Sequence, residues 1–283
     1  MAKKILITGS SGFIASYVAR RCVERNCEIL LQTRAGRIID GLARCKAVKL
    51  LNCSFLALNP EFLNGVDCII HLASAGVSPR NAEWDELEEI NVKGVLAMCQ
   101  LAQKLNAKIV IVGSSYEYGK SGLRYEQIPV NAPLEPTFPY AASKAAGCHL
   151  ALGFARSEGL CAAYLRIFNA FGIGQHESNL WPSLIKAAKS GQDFGMTEGQ
   201  QLRDFIPVED VANQLADAAT ELEMREGSPF VSNVGSGKTV TVREFSEYWW
   251  KKCDAKGRLN IGSVPYRDNE VMRFVPSLKT AYL

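Results

Sequence analysis

The stretch Ile5-Leu6-Ile7-Thr8-Gly9-Ser10-Ser11-Gly12-Phe13-Ile14-Ala15 decides the fold. A short run of Ile and Leu reads as a strand buried on both faces. It breaks at a glycine-containing turn, and a segment with helical spacing follows. Gly9 takes a tight turn that a side chain would block. Gly12 lets the backbone approach a pyrophosphate held at the positive end of the helix, and Ala15 is small enough for close helix–strand packing. The competing reading, an ordinary glycine-rich turn, is disfavoured by its context at the head of an alternating chain.

Outward from that turn, apolar runs and helical patterns alternate. Strands are expected at Lys4–Thr8, Glu28–Thr33, Ala47–Leu51, Val66–Leu72, Lys108–Gly113 and Cys161–Ile167. Helices are expected at Phe13–Arg25, Trp84–Asn106 and Tyr140–Glu158. Continuous Val, Ile and Leu strands alternating with helices predict an α/β fold, a doubly wound parallel sheet covered on both faces. After about Asn169 the alternation gives way to glycines and short segments, with helices at Leu180–Ser190, Glu209–Glu221 and Val242–Lys252. This predicts a dinucleotide-binding domain over 1–170 and a smaller C-terminal substrate lobe over 171–283. Phe230–Val234 is left open to return to the main sheet.

Composition excludes several classes. The 283 residues are 47% hydrophobic and 22% charged, with a net charge of +3 and no basic block, so nucleic acid is not an expected partner. No run approaches a membrane span, and the apolar start breaks too early for a secretory signal. Nine scattered cysteines form no CxxC pair, and with three histidines they offer no metal-ligand spacing. They read as small buried hydrophobes in a reducing, cytoplasmic protein.

Three Tyr-x-x-x-Lys pairs compete for chemistry: Tyr116/Lys120, Tyr140/Lys144 and Tyr248/Lys252. The spacing puts both side chains on one face only in a helix. Gly119 interrupts the first pair, and the third lies late in the chain. Tyr140 follows Pro139, which suits a helix start, and its small neighbours Ala141-Ala142-Ser143 leave room for a ligand. A second glycine segment, Gly235-Ser236-Gly237-Lys238-Thr239, resembles the end of a P-loop. The glycine that motif needs at position 232 is Ser232, so the segment reads as a turn before a helix capped by Thr241.

Thr8-Gly9-x-x-Gly12-Phe13-Ile14, His71-Leu72-Ala73, Asn91-Val92-x-Gly94, Ser114-Ser115-x-x-Tyr118-Gly119, Pro139-Tyr140-x-x-x-Lys144 and Leu165-Arg166-x-x-Asn169-x-x-Gly172 occur in order. Together they resemble the extended short-chain dehydrogenase/reductases, the NAD-dependent epimerase/dehydratase group, with a Rossmann fold. The resemblance implies Tyr140 as the acid/base, Lys144 as its partner and Ser114 as the hydroxyl that orients substrate, with Ser115 the structural alternative. It implies cofactor contacts from Gly9, Ser11, Gly12, Phe13, Ile14, Leu72, Ala73, Asn91, Tyr140 and Lys144. A free tyrosine has a pKa of about 10, so ionisation near neutral pH costs on the order of 4 kcal/mol. A neighbouring ammonium and the oxidised nicotinamide are expected to supply it by attraction. Glu117 is read as a solvated loop carboxylate, with a second acid/base as the alternative.

Gln201–Val211 resembles the segment beside the nucleotide in nucleotide-sugar members, which implies Arg203, with Asn169, at a diphosphate. A surface ion pair of Arg203 with Asp204 or Glu209 is the alternative. Tyr266–Met272, with Arg267, resembles abequose-synthase-like 4-ketosugar reductases. Phe171, Ile173 and Cys53-Ser54 depart from the usual family residues. The second strand ends Leu30-Leu31-Gln32-Thr33-Arg34 without the acid that selects NAD, and Arg34, helped by Arg37, suits a 2′-phosphate. A solvent-facing arginine is the alternative. The expected activity is NADP-dependent reduction of a 4-keto nucleotide-diphosphate sugar, with NAD as the alternative cofactor, a 4-epimerase as the rival activity and a scaffold as the distant one. A homodimer is left open.

Overall fold

The computed structural model describes residues 2–34, 42, 45–77, 81–268 and 270–282. In chain order the first half runs β1 (Lys4–Thr8), α1 (Phe13–Glu24), β2 (Glu28–Thr33), β3 (Val48–Asn52), β4 (Cys68–His71), α2 (Trp84–Leu87), α3 (Gly94–Leu105), β5 (Lys108–Ser114), α4 (Pro139–Glu158) and β6 (Ala162–Ile167). The second half runs β7 (Asn169–Phe171), α5 (Leu180–Ser190), β8 (Phe194–Met196), β9 (Leu202–Pro207), α6 (Val208–Thr220), β10 (Phe230–Val234), β11 (Thr239–Thr241), α7 (Val242–Lys252), β12 (Leu259–Ile261), β13 (Arg273–Phe274) and β14 (Ala281–Tyr282).

The main sheet has the order β14-β10-β6-β5-β4-β1-β2-β3. Every neighbouring pair in it is parallel except β10 with β14. From β1 the chain winds outward through β2 and β3, then returns to place β4 on the other side of β1. The crevice at that reversal, beyond Thr8 and its register partner His71, is where such sheets bind ligands. Successive side chains of a strand face opposite ways. Ile5 and Ile7 therefore meet Ala15, Val18 and Cys22 of α1 and Val211 and Leu215 of α6, while Leu6 meets the opposite core with Met98 and Cys99 of α3 and Cys148 and Ala151 of α4.

The second half is woven into the first rather than set beside it. Helix α6 packs in the core of α1, and β10 lies against β6. What stands apart is a small sheet, β11-β9-β13 with β7 on β9, and the β8–β12 pair. An aromatic cluster accompanies them: Phe171 meets Trp181, Phe245 and Trp249, and Trp181 meets Trp249, with centroids 5.1 to 5.9 Å apart.

The single helix expected over Trp84–Asn106 is three consecutive pieces. Between α2 and α3, Glu88–Lys93 winds as a π-helix, with Asn91 the buried residue in it. A π segment widens the turn and re-aims the residues within it. Helix α4 crosses there at Gly147, where a Cβ would lie 2.3 Å from the Asn91 carbonyl oxygen. Elsewhere in a helix, replacing Gly by Ala stabilises by about 1 kcal/mol. Here the clash is with backbone, which cannot swing away. Gly147→Ala is expected to destabilise by about 1–3 kcal/mol, read as a lowered urea midpoint, and to weaken activity by moving α4.

Candidate active site

The turn between β1 and α1 is built for close approach. Gly9 has φ +70°, and a Cβ on it would lie 2.6 Å from the Ala73 amide nitrogen, so the turn lies against Leu72 and Ala73 just past β4. Gly12 caps α1 and donates to the Gly9 carbonyl at 3.0 Å, and Ser11 and Gly12 are exposed. Ile14 packs against the core. The Phe13 ring meets Tyr17 edge-on at 6.1 Å and lies under Gly174. An open helix end with glycines on its approach fits a pyrophosphate.

Sequence reasoning missed Gln32. Its side chain is buried, accepts from the Gly9 amide at 3.1 Å and donates to the Cys53 carbonyl at 2.6 Å. It ties the glycine turn to the ends of β2 and β3. The signal was a glutamine inside an apolar run. Arg34 is exposed just after β2, on the far side of β1 from Tyr140, as the two ends of a long ligand require. Arg37 lies outside the described residues.

Asn91 was expected to touch the cofactor. Instead both ends of its amide are engaged by protein. Nδ2 donates to the Ala75 carbonyl (3.0 Å) and Ser143 Oγ (2.9 Å), and Oδ1 accepts from Ser74 Oγ and the Ala75 amide (2.9 Å each). It positions Ser74 and the start of α4, which places Ser74 beside Tyr140.

Tyr140 and Lys144 occupy the first turns of α4, and Ser114 ends β5. The Ser114 and Ser74 hydroxyls lie beside the Tyr140 phenol, and both favour its ionised form. Lys144 is buried and donates to the Val112 carbonyl at 2.6 Å. In the protein alone, without the nicotinamide charge, Tyr140 is not drawn toward phenolate. Burial pushes the phenol up to about 12, against the influence of the Ser114 and Ser74 hydroxyls, and the Glu117 charge adds to the rise. Burial lowers Lys144, partly countered by Glu117 and Cys148.

Glu117 is not a solvated loop residue. It is fully buried, and Arg166 Nε pairs with its Oε2 at 2.7 Å. Of the other two tyrosine–lysine pairs, Tyr116 lies on a 3-10 turn, Ser115–Tyr118, and Lys120 beyond Gly119. Tyr248 and Lys252 meet on exposed α7.

Asn169 Nδ2 donates to the Asp204 carbonyl at 3.0 Å. Arg203 pairs neither with Asp204 nor with Glu209. It donates to the Val271 carbonyl at 2.6 Å and reaches Glu270 at 3.4 Å, and it is near enough to Tyr116 to feel that side chain. Arg267 is exposed in the same loop. Asp204 instead fills the Gly235–Gly237 turn, accepting from the Ser236 and Gly237 amides at 2.8 Å each. The P-loop-like segment thus cradles a protein carboxylate, and Thr241 caps α7 in a capping box with Glu244. Among the described residues no cluster suits a metal ion, and no helix is long and apolar enough to cross a membrane.

A glycine turn at the reversal of a parallel sheet, with Ser114, Tyr140 and Lys144 beside it, defines a Rossmann-fold enzyme of the dehydrogenase/reductase type. The chain belongs to the NAD dependent epimerase/dehydratase family, whose profile matches residues 5–235. It is 30% identical over 249 residues to a probable dTDP-glucose 4,6-dehydratase of Sinorhizobium fredii, spanning 80% of this chain and 69% of that one. It is 29% identical to a UDP-glucose 4-epimerase of Streptomyces lividans (87% and 80%) and 23% identical to the CDP-abequose synthase of Salmonella muenchen (95% and 87%). The chain spans only 38 to 42% of the length of three trifunctional Arabidopsis thaliana enzymes that it also matches. The solved structure of MoeE5 with UDP-glucuronic acid and NAD superposes with a TM-score of 0.81 at 25% identity, covering 98% of this chain and 90% of that one.

Tyr140→Phe is expected to leave cofactor affinity intact and to lower turnover at least about a hundredfold, the usual size of a general acid/base contribution. Tyr116→Phe and Tyr248→Phe are expected to do much less. A dead Tyr116→Phe beside an active Tyr140→Phe, in steady-state assays, would reverse the choice among the three pairs.

Proposed function

We propose that the protein reduces the 4-keto group of a nucleotide-diphosphate sugar with NADPH. The observation that carries this reading is the Tyr140 phenol beside Ser114 and Ser74, which burial keeps protonated. A protonated phenol suits reduction, in which a proton must be given to the carbonyl oxygen. An oxidative first step needs the phenolate. A reduced dinucleotide whose pyrophosphate is held at Gly9–Gly12 would supply the hydride from its nicotinamide. Tyr140 donates the proton, Ser114 holds the carbonyl oxygen by a hydrogen bond, and Lys144 holds the ribose hydroxyls. Arg203, Asn169 and Arg267 face the diphosphate, which a guanidinium recognises through two parallel hydrogen bonds.

Two relatives bear the names of a dehydratase and an epimerase. Dehydration needs a further acid/base beside Tyr140. The carboxylate whose charge reaches Tyr140 is Glu117, and it is locked on Arg166. One observation favours an epimerase. The Tyr17 hydroxyl donates to the Ile173 carbonyl at 2.9 Å, and Gly172 and Gly174 pack on Phe13. This strap lies over the start of α1 and suits a cofactor that is retained through turnover.

Assay with NADPH deuterated at the transferable hydrogen separates the two. A reductase consumes one equivalent per sugar and places deuterium on C4. Interconversion of two 4-hydroxy sugar nucleotides without added cofactor would replace this reading. Because the proton donor is lost only as pH rises toward its raised pKa, reduction is expected to stay flat from about pH 6 to 9, whereas an oxidation that starts from phenolate would climb over that range.

NADPH is expected to bind more tightly than NADH, and Arg34→Ala to remove most of the difference. Equal affinities in titration calorimetry would sink that assignment.

A further inference from the structure

We propose that Glu117 is a positioning residue for Ser114: through a buried capping box it fixes the serine's backbone and leaves the serine's hydroxyl aimed as a donor at the reacting carbonyl. The proposal rests on the role given above to Ser114 and Tyr140, and adds to it a residue outside the Ser/Tyr/Lys set.

Ser114-Ser115-Tyr116-Glu117 has the S-x-x-E spacing of a capping box, in which a hydroxyl and a carboxylate each satisfy a backbone amide of the other's turn. Both halves are present. The Ser114 amide donates to Glu117 Oε1 at 2.7 Å, and the Tyr116 amide donates to Ser114 Oγ at 3.3 Å. Such boxes ordinarily sit at the exposed start of a helix. This one caps a single 3-10 turn, Ser115–Tyr118, and both members are buried. A cap on so short a turn does not offset the desolvation of a carboxylate. What the box does accomplish is orientation. A serine hydroxyl has one proton and two acceptor positions. The Tyr116 amide occupies one acceptor position, so the proton is directed away from the turn, toward the side on which Tyr140 stands.

The carboxylate cannot drift. Its Oε1 also accepts from the Tyr164 hydroxyl at 2.8 Å, and its Oε2 from Arg166 Nε at 2.7 Å. Gly113 makes room for it, since a Cβ there would lie 2.7 Å from Glu117 Oε1 and 2.3 Å from the Tyr164 ring. Arg166 in turn is held by the Tyr118 hydroxyl (3.1 Å), the Val130 carbonyl (3.0 Å) and Cys148 Sγ (3.1 Å). The groups that face Tyr140 are Ser114 and Glu117 after β5, Tyr116 on the same turn, and Ser74 after β4. Of these, Ser114 is joined to Glu117 and to the Tyr116 amide in the box.

Glu117 is also half of a buried ion pair, so its removal alone would strand Arg166 and confuse stability with catalysis. The test therefore uses a common Arg166→Met background. In Glu117→Met/Arg166→Met no acceptor remains for the Ser114 amide. In Glu117→Gln/Arg166→Met the side-chain carbonyl can still accept from it. The proposal expects fast hydrogen–deuterium exchange at the Ser114 amide in the Met variant, resolved by NMR, and slow exchange in the Gln variant. With matched melting temperatures, kcat for the ketosugar is expected to fall about tenfold to a hundredfold in the Met variant, the size of effect produced by a small misplacement of a reacting group. KM should change little, and Gln should recover most of the loss. Equal kcat in the two double variants reduces Glu117 to a structural ion. Slow Ser114 exchange in both overturns the box on the protein alone, without substrate. Failure of the unaltered protein to reduce any 4-keto sugar nucleotide is a separate result, and it counts against the proposed function instead.

Discussion

One buried guanidinium organises the ground beneath the site. Arg166 points from β6 into the sheet's C-terminal edge with 2% of its surface exposed, and Glu117 opposite it has none. Burial works against its charge, but Glu117 more than restores it, and the guanidinium stays ionised. Two ions withdrawn from water cost several kcal/mol each, which is recovered only if geometry and hydrogen bonding are complete. Here they are well served on both sides. The same guanidinium touches the Ser115–Tyr118 turn, α4 through Cys148 and the loop at Val130. Tyr118 passes the network on to Asn233 at 2.7 Å, and Asn233 Nδ2 donates to the carbonyls of Ile128 and Ser277. One charge pair therefore fixes β5, β6, β10, α4 and the tail in a single arrangement, and Ser114 and Tyr140 stand on two of those elements.

Much of the fold was legible because it depends on local pattern. Lys4–Thr8, Glu28–Thr33, Leu180–Ser190 and Val242–Lys252 have the bounds that apolar periodicity suggests, since strands buried on both faces and amphipathic helices carry their signal in every residue. The π turn around Asn91 was not legible. It lies where Gly147, more than fifty positions away, approaches the backbone, and no periodicity within Trp84–Asn106 records that contact. The three-residue strands β7, β8, β11 and β12 were missed for a similar reason. They are too short to hold a pattern, and pairing with a distant segment creates them.

The site was legible where chemistry is tied to a motif and illegible where it is tied to burial. Pro139-Tyr140 and the small residues after it marked the pair that the structure sets beside Ser114, at the start of a helix. Nothing local said that Glu117 lies inside, because a glutamate between two tyrosines looks solvated until Arg166 is brought to it. The spacing Ser114–Glu117 did carry a readable sign, the capping box, but that pattern is associated with exposed helix starts. Tyr140 shows the same division. Its neighbours in sequence suggest a phenol pulled toward ionisation, whereas Lys144, one helical turn on, turns to the Val112 carbonyl and leaves burial to dominate.

Strand β9 shows how the two halves of such a site are held in register. Adjacent residues of a strand face opposite ways, and β9 uses this at Arg203 and Asp204. Arg203 turns toward Glu270 and Val271, the segment that carries Arg267. Asp204 turns the other way and is received by the Ser236 and Gly237 amides and the Ser236 hydroxyl, immediately after β10 of the main sheet. Gly235 is required for this contact, because a Cβ on it would lie 2.9 Å from Asp204 Oδ2. Backbone amides that converge on an anion in this way are the construction used elsewhere to hold phosphate. Here the anion is internal, and it is joined by one peptide bond to the arginine that reaches Glu270 and Val271. The position of Arg203 relative to β6 and β10 is thus set by a charged contact within the chain. A glycine-rich loop that resembles a nucleotide site serves instead as the anchor of a strand.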